Sequence, residues 1–357
     1  MAAYINRIAT AVPDNDIHDA FCAYAEAMLP HPTHRALFRR MAGRSQIEHR
    51  WSALKPPSLD TGEGMIDADG FYQRGAFPST AARMRRYEAD APPLAFKALE
   101  RLGLEAEADQ ITHLILTSCT GFTAPGLDLE IVERFGLAPS VERTNIGFMG
   151  CYAAVNALKL ARHIVRSEPQ AKVLVVSLEL CSLHLQETED LEQSLTFLIF
   201  GDGCAAALVS AEPEGLRLDG FHVALDLAAR EQITWKVRDL GFDMVLSGQV
   251  PAAVGRAVRA GRERILDGRE AHEIDLWAVH PGGRSILDAV DDALELPQGA
   301  LAPSREVLGA YGNMSSATVL FVLAQILRGP TCGLRGCGMA FGPGLSAETF
   351  TFSGAAA

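Results

Sequence analysis

The sequence predicts an α/β protein built from two similar halves. Apolar runs rich in β-branched residues alternate with segments of helical periodicity, and the alternation occurs on both sides of a compositional shift at Glu212 to Gly215. With 357 residues and 48% hydrophobic content, the chain can bury a large core, as two domains or as one duplicated unit. Neither a short-period repeat nor a low-complexity linker interrupts it.

Residues 1 to about 100 are the least regular stretch. Prolines cluster at Pro30 and Pro32, Pro56 and Pro57, and Pro92 and Pro93, and this stretch is assigned to a helical cap. HLILTS at 113–118 follows as a strand, LDLEIVERFGL as a helical pattern, and a helix runs from Tyr152 to about Val165. KVLVVSLEL at 172–180 reads as the next strand. In the second half DLWAVH at 275–280 is a strand, SILDAVDDALEL is helical, and a helix spans about Ser316 to Leu327. Strand-like ends lie near CGLRGCGMAF and ETFTFS.

The formal charge of −12 excludes a general nucleic-acid binder, because phosphate backbones are gripped mainly by lysine and arginine. The longest apolar stretches stop well short of the ~18 residues a membrane span needs. Seven cysteines, an odd number with no CxxC pair, argue against a disulfide framework or a zinc site. MAAYINRIATAVP lacks a basic leader region, so the expectation is a cytoplasmic protein without anchor, metal or bound cofactor. One basic segment departs from the acidic whole: between His34 and Arg50, Arg35, Arg39, Arg40, Arg44 and Arg50 face a single acid, Glu48. Such a cluster suits either an anionic ligand or a solvated helix face.

Three residues carry candidate chemistry. Cys151 follows Gly147 and Gly150 and opens an amphipathic helix, where free N–H groups and the helix dipole favour thiolate over thiol. His280 ends the apolar run LWAVH and is followed at once by the turn PGG, a placement at a strand's carboxyl end that suits reactive groups. Asn313 lies in YGNMSSA, ahead of a second apolar helix. Singly, each has a plain structural reading: a buried cysteine, a satisfied core histidine and a capping asparagine. Together, a thiolate, an imidazole and a carboxamide can hold an acyl group covalently and stabilise enolate charge with two donors.

With these residues in view, the chain resembles the type III polyketide synthases, the chalcone and stilbene synthase group of the thiolase-fold superfamily. The matching strings are GC at 150–151, FGDG at 200–203, HPGG at 280–283, YGNMSSA at 311–317 and FGPGL at 341–345. HPGG and GNMSSA, with His280 and Asn313 33 residues apart, are specific together. The resemblance implies a five-layered αβαβα fold with two pseudo-repeated halves, 1–215 carrying Cys151 and 216–357 carrying His280 and Asn313, the site between them, and a homodimer. It also implies acyl-coenzyme A and malonyl-coenzyme A as substrates, Cys151 as acyl carrier, and His280 with Asn313 as the pair that promotes decarboxylation. Phe200 matches the family's gatekeeping phenylalanine. Arg40 and Arg44 match basic positions over the coenzyme A phosphates; the third such position is Leu37 here, for which Arg39 is the expected substitute.

The departures from the plant pattern concern the pocket. Trp235 replaces a second gate phenylalanine, His184 and Cys119 stand where the plant enzymes have small threonines, and Ala124 replaces a methionine that crosses the dimer interface. Starter, number of extensions and closure therefore do not follow from the resemblance, and a pyrone, resorcinol or phloroglucinol type of product is equally compatible. Two rivals use overlapping residues: a fatty-acid-type ketoacyl synthase, against which HPGG and GNMSSA speak, and a catalytically silent acyl-coenzyme A binder, which would not need all three reactive side chains.

Overall fold

The computed structural model describes residues 2–58 and 65–356. Its main sheet has nine strands, and their pairing divides them into a five-stranded and a four-stranded part. In the first part Tyr4–Ala11, Asp202–Ser210 and Val173–Leu180 pair antiparallel, then Val173–Leu180, His113–Ser118 and Glu142–Gly147 pair parallel. In the second, Leu216–Leu225, Ser346–Gly354 and Arg335–Gly342 are antiparallel neighbours, and Leu276–Val279 lies parallel at the edge. The two parts meet where Tyr4 lies opposite Arg217 and Ile5 opposite Leu216, with the Leu218 N–H bonded to the Ala3 carbonyl at 2.9 Å.

Side-chain alternation along the strands generates the layers, because successive residues point to opposite faces. On Val173–Leu180, Leu174, Val176 and Leu178 face a core shared with helix Thr80–Leu102, while Val173 and Val175 face helix Ala153–Ser167. On Leu276–Val279, Trp277 and Val279 pack on helices Val250–Ile265 and Arg284–Leu294, whereas Ala278 faces helix Thr318–Ile326. Helices Ala153–Ser167 and Thr318–Ile326 are therefore the central layer between two sheets, with a helical layer outside each: the five-layered αβαβα arrangement. Eight of the nine residues of Thr318–Ile326 are buried, as a helix enclosed on all sides requires.

The expected strands at 113–118, 172–180 and 275–280 are His113–Ser118, Val173–Leu180 and Leu276–Val279. The expected helical cap over the first hundred residues is met only in part: His18–Met28 and Pro32–Ala42 are helices, but Tyr4–Ala11 is a strand of the main sheet and helix Thr80–Leu102 is the outer layer packed on it. Pro92 and Pro93 do not break the last of these. The carbonyls they leave without a helical donor belong to Glu88 and Ala89, both exposed residues that water can reach. No helix among the described residues is long and apolar enough to cross a membrane.

Candidate active site

Cys151 is delivered by a strained turn. After strand Glu142–Gly147, Phe148 has φ 55° and Gly150 φ 72°, and a short 3-10 turn, Gly150–Tyr152, leads into helix Ala153–Ser167. A β-carbon on Gly150 would stand 2.3 Å from Cδ of Pro343, and one on Gly342 2.8 Å from the Tyr152 ring. The GC and FGPGL strings are thus two sides of one contact, and glycine is what lets them touch.

His280 lies one residue beyond strand Leu276–Val279, anchored by its N–H to the Met339 carbonyl at 2.8 Å. Its ring is buried, and neither nitrogen has a hydrogen-bond partner among the described residues. Asn313 follows Gly312, whose φ of 68° turns the chain out of helix Ala302–Tyr311. Its Oδ1 accepts the Ser315 N–H at 2.8 Å, and Nδ2 points to the Gly282 carbonyl at 3.4 Å. Asn313 also shares an isolated parallel bridge with Phe200.

Cys151, His280, Asn313 and Phe200 line a single cavity, together with Met244 and Gly342. Cys151, Phe200 and Met244 also line a second, largely apolar cavity walled by Cys119, Thr120, Cys181, His184, Trp235 and Ser315. A cleft of about 780 Å³ runs to the surface and shares Leu246, Val250, Gly282 and Ile286 with the first cavity. The reactive side chains therefore stand where a chamber meets an access route.

Burial dominates the electrostatics. It pushes the Cys151 thiol up to about 11, with Ser315 and Asn313 beside it acting in the opposite direction. It pushes the His280 imidazole down to about 3. The expected preference for thiolate at the helix start is outweighed, because an isolated negative charge here loses more hydration than the helix N-terminus returns. At neutral pH the free site holds a thiol and a neutral imidazole, and transfer of the proton between them depends on the mutual attraction of the thiolate–imidazolium pair it creates in this buried site.

The pocket residues come together as well. Cys119 Sγ lies 3.2 Å from Ser315 Oγ and 3.4 Å from Glu179 Oε2. Trp235 Nε1 donates to the Cys119 carbonyl at 2.6 Å. His184 accepts the Phe242 N–H at Nδ1, so its proton sits on Nε2, which donates to the Thr120 carbonyl. Its ring stacks on Phe242 at 4.0 Å and meets Trp235 edge-on at 5.4 Å. Sequence reasoning missed Glu179, although an acid inside the apolar run VLVVSLEL is a signal: it is fully buried and accepts hydrogen bonds from Cys119, Thr120 and Ser316.

The basic segment from His34 to Arg50 does not act as one patch. Arg44 lines the cleft. Arg39 is bound to Glu26, with Nε to Oε2 at 3.1 Å, Arg40 is exposed outside the residues lining the cleft, and exposed Leu37 offers no charge. Arg50 is buried. The second cation in the cleft is Arg284, which also donates to the Arg44 carbonyl at 3.2 Å. Three acids line the same cleft, each with a structural partner. Asp288 pairs with Arg284 and Arg305, Asp190 caps helix Leu191–Phe197, and Glu192 accepts the Gly248 N–H. Ala124 is exposed, on the loop before helix Leu127–Phe135.

Comparison with known proteins agrees along the whole chain. The family model for the N-terminal domain of chalcone and stilbene synthases matches residues 2–213, and that for the C-terminal domain matches residues 227–355. The alpha-pyrone synthesis polyketide synthase-like Pks18 of Mycobacterium tuberculosis is 33% identical, over 98% of this chain and 91% of its own. Bisdemethoxycurcumin synthase of Oryza sativa subsp. japonica is 32% identical, over 87% of this chain and 81% of its own. Among solved structures, the type III polyketide synthase domain of Steely1 from Dictyostelium superposes with a TM-score of 0.90 at 23% identity, covering 99% of this chain and 100% of that one, which shows the shared fold. PKS-I from the brown alga Ectocarpus siliculosus superposes with a TM-score of 0.87 at 28% identity, over 99% of this chain and 98% of that one. The chain belongs to the chalcone and stilbene synthase family of type III polyketide synthases.

Proposed function

We propose that this protein joins acyl-coenzyme A starters to malonyl-coenzyme A units by decarboxylative Claisen condensation, with Cys151 as acyl carrier. The observation that carries this reading is the shared lining: Cys151, His280 and Asn313 face one cavity that continues into the cleft holding Arg44 and Arg284. The cleft takes the coenzyme A moiety, with the two arginines toward its phosphates. His280 accepts the Cys151 proton as sulfur attacks the starter thioester, and coenzyme A leaves as the thiol. Malonyl-coenzyme A then loses carbon dioxide beside Phe200, whose apolar ring disfavours the carboxylate over the neutral product. The electron pair left behind is held as an enolate by donors from Asn313 and His280, and its carbon attacks the acyl-Cys151 carbonyl, releasing the thiolate.

The two halves, 1–215 and 216–357, supply the carrier and the decarboxylating pair respectively. The reading includes a homodimer and no cofactor beyond the coenzyme A thioesters. The product is a cyclised polyketide of the pyrone, resorcinol or phloroglucinol type. Lactone closure to a pyrone is the first to test, since the name of the mycobacterial relative specifies alpha-pyrone synthesis.

The test is incubation of the purified protein with labelled malonyl-coenzyme A and a panel of aliphatic and aromatic acyl-coenzyme A starters, with products read by mass spectrometry. A starter-dependent polyketide that disappears in Cys151→Ala supports the reading. Absence of carbon dioxide release and of product with every starter overturns it.

A further inference from the structure

Arg50 is 1% exposed, and no ion pair to it exists among the described residues. Its guanidinium is spent on two main-chain oxygens and a histidine nitrogen instead. Nη1 donates to the carbonyls of Phe197 and Phe200, each at 3.0 Å, and Nε donates to Nδ1 of His18 at 3.0 Å. The guanidinium carbon lies 4.5 Å over the Phe21 ring. Its own backbone is pinned in turn, the N–H to Asp16 Oδ1 at 3.1 Å and the carbonyl to the Ile17 N–H at 2.9 Å.

The same side chain reaches the other loop of the site. Gly312 sits with φ 68°, and a β-carbon there would stand 3.0 Å from Cγ of Arg50 and 2.8 Å from the Ile199 carbonyl. Between the two loops, Asn313 donates its N–H to the Ile199 carbonyl at 2.8 Å, and Gly201 donates its N–H to the Asn313 carbonyl at 3.0 Å. Arg50 therefore holds Phe200 by its carbonyl while its aliphatic stem packs on the residue that introduces Asn313. Cys151, carried by the turn before helix Ala153–Ser167, receives no hydrogen bond from it.

Such an arrangement is costly. A buried guanidinium must be desolvated, and Nη2 has no hydrogen-bond partner among the described residues. An apolar side chain of similar length would fill the space without that cost, so the two carbonyl bonds are where a return must be sought.

We propose that Arg50 is a positioning residue for the decarboxylation half of the reaction: it fixes Phe200 against Asn313 without touching substrate. This rests on the reaction proposed above. It separates two half-reactions that a merely structural residue would affect together, because malonyl decarboxylation uses Phe200 and Asn313 as a pair, whereas acylation of Cys151 uses Asn313 only as one of two neighbours of its sulfur, beside Ser315.

The test uses full-length Arg50→Met and Arg50→Lys. Acylation is read as the mass of acyl-Cys151 after mixing with starter, and decarboxylation as carbon dioxide from labelled malonyl-coenzyme A. Arg50→Met is expected to acylate within about twofold of wild type while decarboxylation falls about tenfold or more in kcat, with KM nearly unchanged. Arg50→Lys, which keeps a charged donor for the carbonyls but loses the Nε bond to His18, should recover part of that loss. Equal decline of both half-reactions, unchanged decarboxylation in a folded variant, or failure of both variants to fold overturns the proposal in favour of a structural role. Wild-type protein that releases no carbon dioxide overturns the proposed reaction itself, a failure visible before any variant is made.

Discussion

Asn313 Oδ1 accepts the Ser315 backbone N–H at 2.8 Å, and this bond decides which end of the carboxamide meets the cavity. With the oxygen occupied, Nδ2 is the group left for a ligand, and a nitrogen can only donate. Since enolate oxygen needs donors, Asn313→Asp should be worse than a loss of size. It puts an anion where negative charge develops, while a carboxylate still accepts from Ser315. Release of carbon dioxide from malonyl-coenzyme A is expected to fall about 10²-fold in Asn313→Ala and further in Asn313→Asp. Equal rates for wild type and Asn313→Asp would remove Asn313 from the donor pair.

The pH behaviour follows from two opposed shifts. The thiol of Cys151 is raised to about 11 and stays protonated below that pH; the imidazole of His280 is lowered to about 3 and stays neutral above it. Between these limits the two groups together keep one proton, and activation moves it from sulfur to nitrogen, a step the two shifts oppose taken singly and the attraction within the resulting thiolate–imidazolium pair offsets. Acyl-Cys151 formation should therefore be nearly flat from pH 6 to 9. In His280→Ala the proton must go to solvent, so the rate should be lower at pH 7 by about 10²-fold and climb about tenfold per pH unit. Stopped acylation followed by intact-protein mass spectrometry across that range measures both slopes.

Legibility in the sequence followed burial. Val173–Leu180 and His113–Ser118 are enclosed on both faces, so their apolar runs announced themselves, and the reactive triad sits where such runs break into glycine turns. Arg50 was invisible for the opposite reason. It ends a basic segment whose neighbours are mostly exposed, and no local pattern separates a guanidinium that reaches inward to Phe197 and Phe200 from one in water. Arg284 was missed because its position depends on how helix Arg284–Leu294 leaves the HPGG turn, a packing outcome rather than a periodicity. Helix Thr80–Leu102 shows that a proline pair marks a break only where the orphaned carbonyls would be buried.

For coenzyme A recognition, Arg44 and Arg284 line the cleft whereas Arg39 is held by Glu26. Arg44→Ala with Arg284→Ala should raise KM for coenzyme A thioesters about tenfold while kcat changes little, since ground-state and transition-state binding lose the same contacts. Added salt should weaken substrate binding less in the double variant than in wild type, because there is less charge left to screen. Arg39→Ala should leave KM near its original value. Initial rates against concentration for each variant, at two ionic strengths, separate these outcomes.

Trp235 forms part of the wall of the chamber beside Cys151; its N–H is tied to the Cys119 carbonyl and its ring meets His184 at 5.4 Å and Phe242 at 5.6 Å. These aromatic walls limit the space a starter can occupy, and the remaining lining is mostly apolar. Trp235→Ala removes a wall without touching Cys151, His280 or Asn313, so condensation should survive and selectivity should move. Competition between a short and a long acyl-coenzyme A starter should shift toward the long one by about tenfold, the scale that one or two added methylenes command in an apolar pocket. Some stability should go with it, about 1 to 3 kcal/mol, because a half-buried indole leaves a partial cavity and an unpaired Cys119 carbonyl. An unchanged starter ratio in a variant with a lowered melting temperature would mean that Trp235 braces the chamber but does not set its depth.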